Sequence, residues 1–287
     1  MITAKTKLAG VIATPIKHSI SPLIYNTAFK KLGINAVYLA FETKPFNFAK
    51  AIDAIRAFDM LGVNLSMPYK QKALKYMDEL GSEVKLVQAM NTVVHEDGCL
   101  IGRNTDGIGY IKSLEAKGYG VKGKKITVLG GGGAGIAIIV QLALKGARKI
   151  SVFNRKSDNF SSLKKRLKEM GEQVEIEIEL FNLADEAILE RELSNSFILA
   201  NTTNIGMGKL SLDSPIYNSQ VIPKNVLVTD VIYSPKKTKL LQQAKHRGAK
   251  TMNGLDMLLY QAAASFFLWT EKKMPIDLIE RKLEVRK

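Results

Sequence analysis

The sequence contains little that could crosslink the chain or hold a structural metal. Cys99 is the only cysteine among the 287 residues, so no disulfide can form within the chain, and this usage favours a reducing compartment. The three histidines, His18, His95 and His246, lie far apart in the sequence and lack the spacing of metal ligands. We therefore expect no bound structural metal.

Long apolar runs are also missing. No apolar stretch reaches the ~20 residues that a membrane-spanning helix needs, and the N-terminal stretch has no apolar signal core. The sequence also has no internal repeat and no low-complexity segment. These absences predict a globular protein that is not embedded in a membrane, and we expect to find it in the cytoplasm.

Acidic residues are too few to balance the basic ones. The chain has 42 lysines and arginines against 27 aspartates and glutamates, which gives a formal net charge of +15. Such an excess is compatible with a nucleic-acid partner, with an anionic substrate and cofactor, or with a solvated surface. The basic residues are scattered, and no helix-turn-helix, RRM or zinc pattern accompanies them. A regulator that binds DNA or RNA is therefore one alternative that the charge leaves open.

What the sequence does contain is a glycine-rich turn inside a β-α-β pattern. The run 126–129 is apolar and partly β-branched, which is typical of a buried parallel strand. Glycines follow it, then an apolar helix-like segment, 136–144, that ends near Gly146, and then a second short strand, 149–153. Gly130, Gly132 and Gly135 have the spacing of the dinucleotide-binding fingerprint.

The spacing of these three glycines has a physical cause. The first permits a tight turn, the second allows the backbone to approach a pyrophosphate, and the third allows the helix to pack on the strand. The N-terminus of the following helix would then offer free N–H groups and a positive dipole end to the phosphates. The sequence therefore predicts a nucleotide site at this turn.

Strands and helices alternate along the rest of the chain, for example in a charged helix at 161–170 and a strand at 174–180. This alternation predicts open, mostly parallel sheets with right-handed crossovers. One set of predicted strands precedes Asp106 and another follows Gly123. We therefore predict two α/β domains, of which the second is a Rossmann-type nucleotide-binding domain. Ligands should bind at the carboxyl ends of the strands, in an interdomain cleft.

Polar side chains follow the predicted strands of the first domain. Ser19 and Ser21 follow the first strand, and Ser21 precedes a proline in the pattern of a helix N-cap. Ser66 lies at the end of the third strand, 62–67. The next helix is predicted to begin at Pro68, which would place Lys70 in its first turn.

Two more polar residues flank a predicted hairpin, whose turn carries the Asp-Gly pair 97–98. Asn91 begins this hairpin and Asp106 follows it. Each of the polar residues could, by itself, be a helix cap, a turn residue or a solvated side chain. Because all of them lie at the sheet edge that faces the nucleotide domain, we predict that they form a binding or catalytic site.

Several short blocks resemble the signature motifs of the shikimate dehydrogenases, in the same order and at matching spacing over essentially the whole chain. The blocks are HSISP at 18–22, NLSMPYK at 64–70, MNT at 90–92, NTDG at 104–107, NR at 154–155, NIGM at 204–207 and GLDMLLYQ at 254–261. The resemblance implies reversible hydride transfer between C3 of shikimate and a nicotinamide, which interconverts shikimate and 3-dehydroshikimate. A methylenetetrahydrofolate dehydrogenase, of similar two-domain architecture, is the other enzymatic alternative, and the two-serine block argues against it.

Some details are similar to the quinate/shikimate dehydrogenase branch of this family. Ser66 stands where the biosynthetic enzymes usually have threonine, and Met67, Tyr38 and the run 239–244 also match that branch. The resemblance therefore implies quinate as a parallel substrate. It implies neither nucleic acid nor a membrane as a partner, and it leaves a homodimer open.

The resemblance also implies domain limits and substrate contacts. A substrate-binding and catalytic domain, 1–106, is completed by C-terminal helices, 255–287, and an NAD(P)-binding domain spans 107–254. Ser19 and Ser21 would bind the substrate carboxylate through their hydroxyls, and Lys70 and Asp106 would be the catalytic pair beside the reacting hydroxyl. The residues implied to contact the substrate are Ser19, Ser21, Ser66, Lys70, Asn91, Asp106, Tyr233 and Gln261.

The implied cofactor site comes from several segments of the second domain. Its residues are Gly131, Gly132, Gly133, Ala134, Asn154, Arg155, Lys156, Ser157, Asn204, Val231, Tyr233 and Gly254. No metal is implied. The glycine block departs slightly from the family pattern, which usually has alanine at position 131 and serine at position 135.

The choice between NAD and NADP depends on the segment after the second strand. A conventional NAD site has an acidic residue there that binds the ribose 2′-hydroxyl, whereas Arg155 and Lys156 are cations that suit a 2′-phosphate. However, Asp158 follows closely. Lys156 and Asn159 also stand where the NADP form of the family usually has threonine and a second arginine. We therefore predict that both NADP and NAD are used.

Overall fold

The computed structural model of the chain describes residues 2–285, and side-chain surroundings are described for residues 2–283. These residues form two compact units. The first comprises the chain up to Gly109 together with the segment from Leu259 onward, and the second comprises Tyr110–Leu258. Each unit contains one six-stranded sheet.

The first unit begins with strands and helices that alternate. Its strands are β1 Lys7–Ala13, β2 Ala36–Glu42, β3 Gly62–Leu65, β4 Glu79–Leu80, β5 Thr92–Glu96 and β6 Cys99–Arg103. Its helices are α1 Ser21–Leu32, α2 Phe48–Ala57, α3 Ser82–Val87, α4 Asp106–Ala116, α9 Leu255–Thr270 and α10 Ile276–Val285. The limits between the two units fall inside α4 and α9.

The sheet of the first unit has the strand order β2-β1-β3-β5-β6-β4. Strand β1 pairs in parallel with both β2 and β3, so the segments after β1 and β3 leave the sheet at the same edge. Strands β5 and β6 form the predicted antiparallel hairpin. Its turn residues Asp97 and Gly98 have φ values of 48° and 82°, which is the left-handed conformation that an Asp-Gly hairpin turn adopts.

The second unit contains six further strands. They are β7 Lys125–Leu129, β8 Lys149–Asn154, β9 Glu177–Asn182, β10 Ile198–Asn201, β11 Leu227–Asp230 and β12 Lys250–Met252. The helices between them are α5 Gly133–Leu144, α6 Phe160–Gln173, α7 Glu186–Leu193 and α8 Lys239–His246. The sheet order β12-β11-β10-β7-β8-β9 with parallel pairing throughout is the Rossmann order, so the predicted fold class of two α/β domains is confirmed.

Helix α9 covers the sheet of the first unit with an aromatic cluster. Trp269 donates from Nε1 to the Val93 main-chain oxygen at 3.0 Å. Its ring centroid lies 5.4 Å from that of Tyr25, which stacks on Tyr38 at 4.2 Å. A Cβ at Gly62 would lie 2.5 Å from Trp269 Nε1, so this strand residue has no room for a side chain.

A buried ion pair lies at the amino end of strand β7, at the opposite end from the glycine-rich turn. Lys125 Nζ lies 2.8 Å from Glu192 Oε2, and both side chains are 7% exposed. Ser151 donates to the same carboxylate at 2.7 Å, and Arg191 donates to its second oxygen at 3.1 Å. Burial opposes the charged form most strongly, but the bonds from Lys125 and Ser151 outweigh it and lower the pKa of Glu192 to about 2.

Three local predictions are wrong. No helix begins at Pro68, and Lys70 lies in a turn instead. The main-chain oxygen of Lys70 accepts from Met90 N at 2.9 Å, whereas in a helix it would accept from a residue four positions later. Ser21 is not the N-cap of α1, since Ile20 holds that position and Ser21 is already helical. The strand expected at 174–180 begins at Glu177, because helix α6 continues as far as residue 173.

Candidate active site

A lysine and a carboxylate pair at the edge where β3 and β6 end. Lys70 Nζ lies 2.5 Å from Asp106 Oδ2, with the side chains 24% and 11% exposed. Lys70 is held by its turn, and Asp106 is the first residue of helix α4. The Asp106 main-chain N–H donates to Asn104 Oδ1 at 3.1 Å, which fixes the start of the helix. Both groups are therefore held in place while part of each side chain still meets solvent.

The side chain of Asn91 connects this pair to the buried interior. Asn91 Nδ2 donates to Asp106 Oδ1 at 2.8 Å, while its Oδ1 accepts from the main-chain N–H of Thr105 at 2.8 Å. Gln261 Oε1, from helix α9, lies 3.4 Å from the same Nδ2. The structure thus brings Lys70, Asn91, Asp106 and Gln261 together, as the sequence predicted for residues that share a site.

The three predicted serines lie on the segments that follow β1 and β3. Ser66 comes directly after β3, and its main-chain N–H donates to Ile12 O at 3.1 Å. Ser19 Oγ accepts from Ser21 N at 3.3 Å, and both side chains are partly exposed. Burial raises the pKa of the Tyr38 hydroxyl well above its ordinary value, and a hydrogen bond with Ser21 opposes that shift. Ser21 therefore lies beside the buried aromatic cluster and is still partly exposed.

Helices α4 and α9 approach each other closely beside these residues. A Cβ at Gly109 would lie 2.6 Å from the main-chain N of Gln261. Glycine at 109 therefore allows the α9 backbone to come near enough for the Gln261 amide to reach Asn91. A larger residue would push the helices apart and withdraw the amide.

The glycine-rich turn of the second unit has the geometry that its spacing predicts. Gly130 has φ 101°, in the left-handed region that favours glycine. A Cβ at Gly135 would lie 2.3 Å from the Gly130 main-chain oxygen, so the third glycine allows helix α5 to pack against the turn. A Cβ at Gly131 would lie 2.5 Å from the end of the Leu163 side chain, so the usual alanine would require this leucine to shift.

Open space lies in front of helix α5, which is what a phosphate group needs. A Cβ added at Gly132 or Gly133 would meet nothing within 4 Å, and no side chain caps the helix at its N-cap residue, Gly132. The first N–H groups of the helix therefore face a cradle that a bound pyrophosphate could fill. These residues fit a dinucleotide, and Ala134 lies in the first turn of the helix.

The segment after β8 borders the same space. Asn154 Oδ1 accepts from Gly131 N at 3.3 Å, so this side chain holds the glycine-rich turn. A hollow of about 230 Å³ is lined by Gly132, Asn154, Arg155 and Asn204, which the structure thereby brings together. A neighbouring hollow of about 390 Å³ is lined by Arg155 and Lys156, and Ser157 lies exposed just beyond them.

A buried carboxylate holds the two loops that follow β10 and β11. Asp230 accepts from Asn201 Nδ2 at 3.2 Å, from Ile232 N at 3.0 Å and from Thr238 Oγ1 at 2.7 Å. Burial raises the pKa of Asp230, and the three hydrogen bonds oppose the shift. Asn201 in turn accepts from Thr203 N at 3.1 Å. This network fixes the backbone that leads to Asn204 on one side and to Val231 and Tyr233 on the other.

The remaining predicted cofactor residues lie where the segment after β11 contacts the residue that precedes α9. Gly254 N donates to Ile232 O at 2.9 Å, and a Cβ at Gly254 would lie 2.0 Å from Val231 O. Val231, Tyr233 and Gly254 thus form one cluster in the second unit. Burial raises the pKa of the Tyr233 hydroxyl, which is partly exposed.

Sequence reasoning did not identify the buried residues that hydrogen-bond to the site residues or hold the loops that carry them. In the first unit they are Asn64, Thr92, Thr105 and Ser265, and in the second they are Asn201 and Asp230. A signal for Thr105 was present, because it lies inside the block that carries Asp106. Ser265 lies four residues after Gln261, on the same face of a helix.

Two negative findings apply to the described part of the chain. Within residues 2–285, no group of three or more His, Cys, Asp or Glu side chains is arranged to hold a metal ion. Among the same residues, every helix is too short or too polar to cross a membrane.

Comparison with known proteins places this arrangement in a family. The family model described as the shikimate dehydrogenase substrate binding domain matches residues 11–93, and the one described as shikimate / quinate 5-dehydrogenase matches residues 113–208. The model of the shikimate 5'-dehydrogenase C-terminal domain matches residues 254–284. A shikimate dehydrogenase (NADP(+)) of Streptococcus suis is 46% identical over 97% of this chain and 96% of its own length.

The chain belongs to the shikimate dehydrogenase family. This membership confirms the resemblance inferred from the sequence blocks.

Solved structures of the shikimate dehydrogenase family agree with the fold. The shikimate 5-dehydrogenase of Listeria monocytogenes, crystallised with shikimate and NAD, has a TM-score of 0.95 at 41% identity and 98% coverage of both chains. A shikimate dehydrogenase crystallised with NADP+ has a TM-score of 0.91 at 36% identity, covering 100% of this chain and 97% of its own. Relatives with this fold therefore hold either nicotinamide cofactor.

Proposed function

We propose that this shikimate dehydrogenase family member catalyses the reversible, NADP- or NAD-dependent oxidation of shikimate to 3-dehydroshikimate. The observation that carries the proposal is the Lys70–Asp106 pair, held by Asn91 and Gln261, in a chain that is 46% identical to a shikimate dehydrogenase along nearly its whole length. None of the relatives described above is a methylenetetrahydrofolate dehydrogenase or a nucleic-acid-binding protein.

The first unit supplies the groups that a small polyhydroxy acid requires. Hydroxyl groups of Ser19 and Ser21 donate to the substrate carboxylate, and Tyr233 belongs to the same set of contacts. Ser66, Asn91 and Gln261 have donors and acceptors that match ring hydroxyls.

The catalytic pair moves the proton of the C3 hydroxyl. In oxidation, the hydroxyl proton passes to the Lys70–Asp106 pair while the hydride leaves C3, so the C–H and O–H bonds are replaced by a carbonyl. In reduction, the Lys70 ammonium group donates a hydrogen bond to the carbonyl oxygen and then a proton to the alkoxide that forms. Asp106 orients the lysine throughout, since it accepts from Nζ at 2.5 Å.

The second unit holds the cofactor, whose nicotinamide supplies the acceptor or donor of the hydride. The pyrophosphate fits the open cradle in front of helix α5, where Gly132, Gly133 and Ala134 present main-chain N–H groups. Gly131, whose N–H donates to Asn154, shapes the turn that leads into this cradle. We assign Asn154, Arg155, Lys156 and Ser157 to the adenosine ribose, because the first three line the two hollows after β8 and Ser157 follows them in the chain. Asn204, Val231, Tyr233 and Gly254 are assigned to the nicotinamide half.

The function is tested by one panel of reactions. Purified protein is mixed with shikimate or quinate and with NADP+ or NAD+, and the absorbance of the reduced nicotinamide is followed. Shikimate should be oxidised with both cofactors. Protein carrying Lys70→Ala, prepared identically, excludes a contaminating host enzyme. If no shikimate is oxidised with either cofactor, the proposed activity is wrong, while a higher rate with quinate would place the chain in the quinate branch.

Arg155→Ala should reduce NADP use much more than NAD use. An arginine meets a 2′-phosphate with a two-pronged, charge-assisted contact, whereas the NAD ribose offers only a neutral hydroxyl there. Losing hydrogen bonds to a charged group costs ~1.5–3 kcal/mol, so kcat/KM for NADP should fall about ten- to a hundredfold. The measurement is kcat/KM for both cofactors at saturating shikimate.

A second variant, which removes a negative charge instead of a positive one, should have the opposite effect on cofactor choice. Asp158 is exposed close to Arg155 in the sequence, and its charge repels a 2′-phosphate. Asp158→Asn should therefore raise NADP use relative to NAD, and more so at low ionic strength, where screening is weaker. An equal loss for both cofactors with Arg155→Ala would mean that the arginine contacts the adenine or supports the fold instead.

A further inference from the structure

A serine in the middle of helix α9 is the centre of a buried polar cluster. Ser265 is 0% exposed, and its Oγ lies 2.8 Å from Thr92 Oγ1, 3.1 Å from Thr105 Oγ1 and 3.1 Å from Asn64 Nδ2. It also donates to the main-chain oxygen of Gln261, one turn earlier, at 3.2 Å. One hydroxyl therefore joins α9 to β3, to β5 and to the segment before α4.

The two threonines of this cluster also contact the amide of Asn91. Thr92 Oγ1 lies 3.1 Å from Asn91 Oδ1, and Thr105 Oγ1 accepts from Asn91 Nδ2 at 3.0 Å. The main-chain N–H of Thr105 donates to Asn91 Oδ1 at 2.8 Å. A main-chain N–H can only donate, so it determines which end of the amide faces it. The oxygen of Asn91 therefore faces the main-chain N–H of Thr105, and its NH₂ group faces the Thr105 hydroxyl and the Asp106 carboxylate.

The orientation of this amide decides how Asp106 is bound. The Asn91 NH₂ group donates to Asp106 Oδ1 at 2.8 Å, which leaves Oδ2 for Lys70 at 2.5 Å. A flipped amide would set its oxygen against the carboxylate and its NH₂ group against the N–H of Thr105, and both contacts would be repulsive. The catalytic pair therefore depends on the Asn91 amide keeping one orientation.

We propose that Ser265 is a positioning residue for the reaction. Its hydroxyl binds the Thr92 hydroxyl beside the Asn91 oxygen and the Thr105 hydroxyl beside the Asn91 NH₂ group, and so fixes the amide that holds the Asp106 carboxylate for Lys70. This inference rests on the proposed function of the Lys70–Asp106 pair. Removing the Ser265 hydroxyl leaves the threonines and Asn64 short of a partner in a buried space, and they regain one only by turning away from Asn91.

Ser265→Ala should lower kcat for shikimate oxidation about tenfold, within the range of couplings found inside one hydrogen-bond network, and should change KM less. Ser113→Ala is the matched control. Ser113 is 3% exposed, and its hydroxyl donates to the Tyr110 main-chain oxygen at 2.7 Å, so this variant removes a buried hydroxyl of a helix without touching the cluster. Its kcat should equal that of the parent.

The deciding experiment adds Ser265→Ala to the Asn91→Ala variant. If Ser265 acts through the Asn91 amide, the second substitution has no further effect on kcat, whereas a merely structural serine lowers kcat by the same factor in both backgrounds. The second result would overturn the proposal. If Ser265→Ala does not fold, the same comparison is made with Thr92→Val, which removes a hydroxyl of the same cluster, in the parent and in the Asn91→Ala variant.

Two kinds of failure stay distinguishable in this experiment. Parent protein that oxidises shikimate, together with equal effects of Ser265→Ala in both backgrounds, overturns only the role of Ser265. Parent protein that oxidises no shikimate overturns the proposed function and this inference with it. Thermal unfolding of every variant shows whether a loss of kcat comes from loss of folded protein.

Discussion

Replacing Lys70 with alanine lowers kcat for shikimate oxidation by ~10²- to 10⁴-fold, the usual cost of losing a positioned acid–base group. KM should change much less, because the serines and amides that we propose to bind the acid are untouched. The reason lies in the geometry: Nζ is held 2.5 Å from Asp106 Oδ2 and the Lys70 side chain remains 24% exposed, so a bound hydroxyl can reach it. Steady-state kinetics at several shikimate concentrations separate kcat from KM.

A neighbouring lysine provides the control for this result. Lys72 lies two residues further along, is exposed, and borders a different hollow, with Phe48 and Tyr76. Lys72→Ala should leave kcat unchanged, although it removes the same charge from the same segment. Equal kcat in Lys70→Ala and in the parent would contradict the catalytic assignment and make Lys70 a solvated side chain.

Glu192→Gln destabilises the protein by ~3–5 kcal/mol, the typical cost of breaking a buried ion pair by removing one partner. Lys125 would keep its charge in a place where both side chains are 7% exposed, and the amide could not replace the attraction. Urea unfolding followed by circular dichroism measures the loss. Because the pair lies at the amino end of β7, away from the glycine-rich turn, KM for the cofactor should not change in the protein that remains folded.

Two further variants test whether the loss of stability in Glu192→Gln comes from an unpaired buried charge. Glu172→Gln removes a carboxylate from an exposed pair with Lys168 on helix α6, at 3.8 Å, and should cost well under about 1 kcal/mol. Lys125→Met combined with Glu192→Leu removes both buried charges and should recover most of the loss. A double variant no more stable than Glu192→Gln would show that the hydrogen bonds of Ser151 and Arg191, rather than the charges, stabilise this end of the sheet.

The same pair predicts how stability depends on pH. The pKa of Glu192 is about 2 in the folded chain, below its ordinary value of about 4.3, so the folded state favours the charged form. Its contribution is fully present above about pH 4.3 and is lost as the pH falls towards 2. Between these values, the unfolding free energy of Glu192→Gln should fall less steeply with pH than that of the parent.

The second unit was predictable from sequence because its signals are local. The glycine spacing depends on backbone contacts inside one β-α-β segment, such as the approach of Gly135 to the Gly130 oxygen. The order of residues within this one segment is therefore enough to predict most of its structure. The end of α6 was mispredicted, because helix termini depend on contacts that the pattern does not include.

The candidate site of the first unit was only partly predictable. The residue types at the strand ends, and their resemblance to family motifs, indicated Lys70, Asn91, Asp106 and Gln261. The conformation of Lys70 depends on a bond from Met90 N to its main-chain oxygen, twenty residues away, so a proline-started helix was the wrong expectation. Ser265 was missed because its partners come from strands more than a hundred residues earlier in the chain.

The aromatic cluster around Trp269 has a consequence for the order in which the chain is completed during synthesis. Residues 110–258 are contiguous, so the second unit has all its strands before helix α9 leaves the ribosome. The first unit, although it begins earlier, lacks the helix that covers Tyr25 and Tyr38 until α9 has been synthesised, after the whole of the second unit. The second unit can therefore complete its folding before the first, whereas N-terminal domains usually fold first during synthesis. Trp269 is the only tryptophan, so its fluorescence reports the closing of the first unit alone.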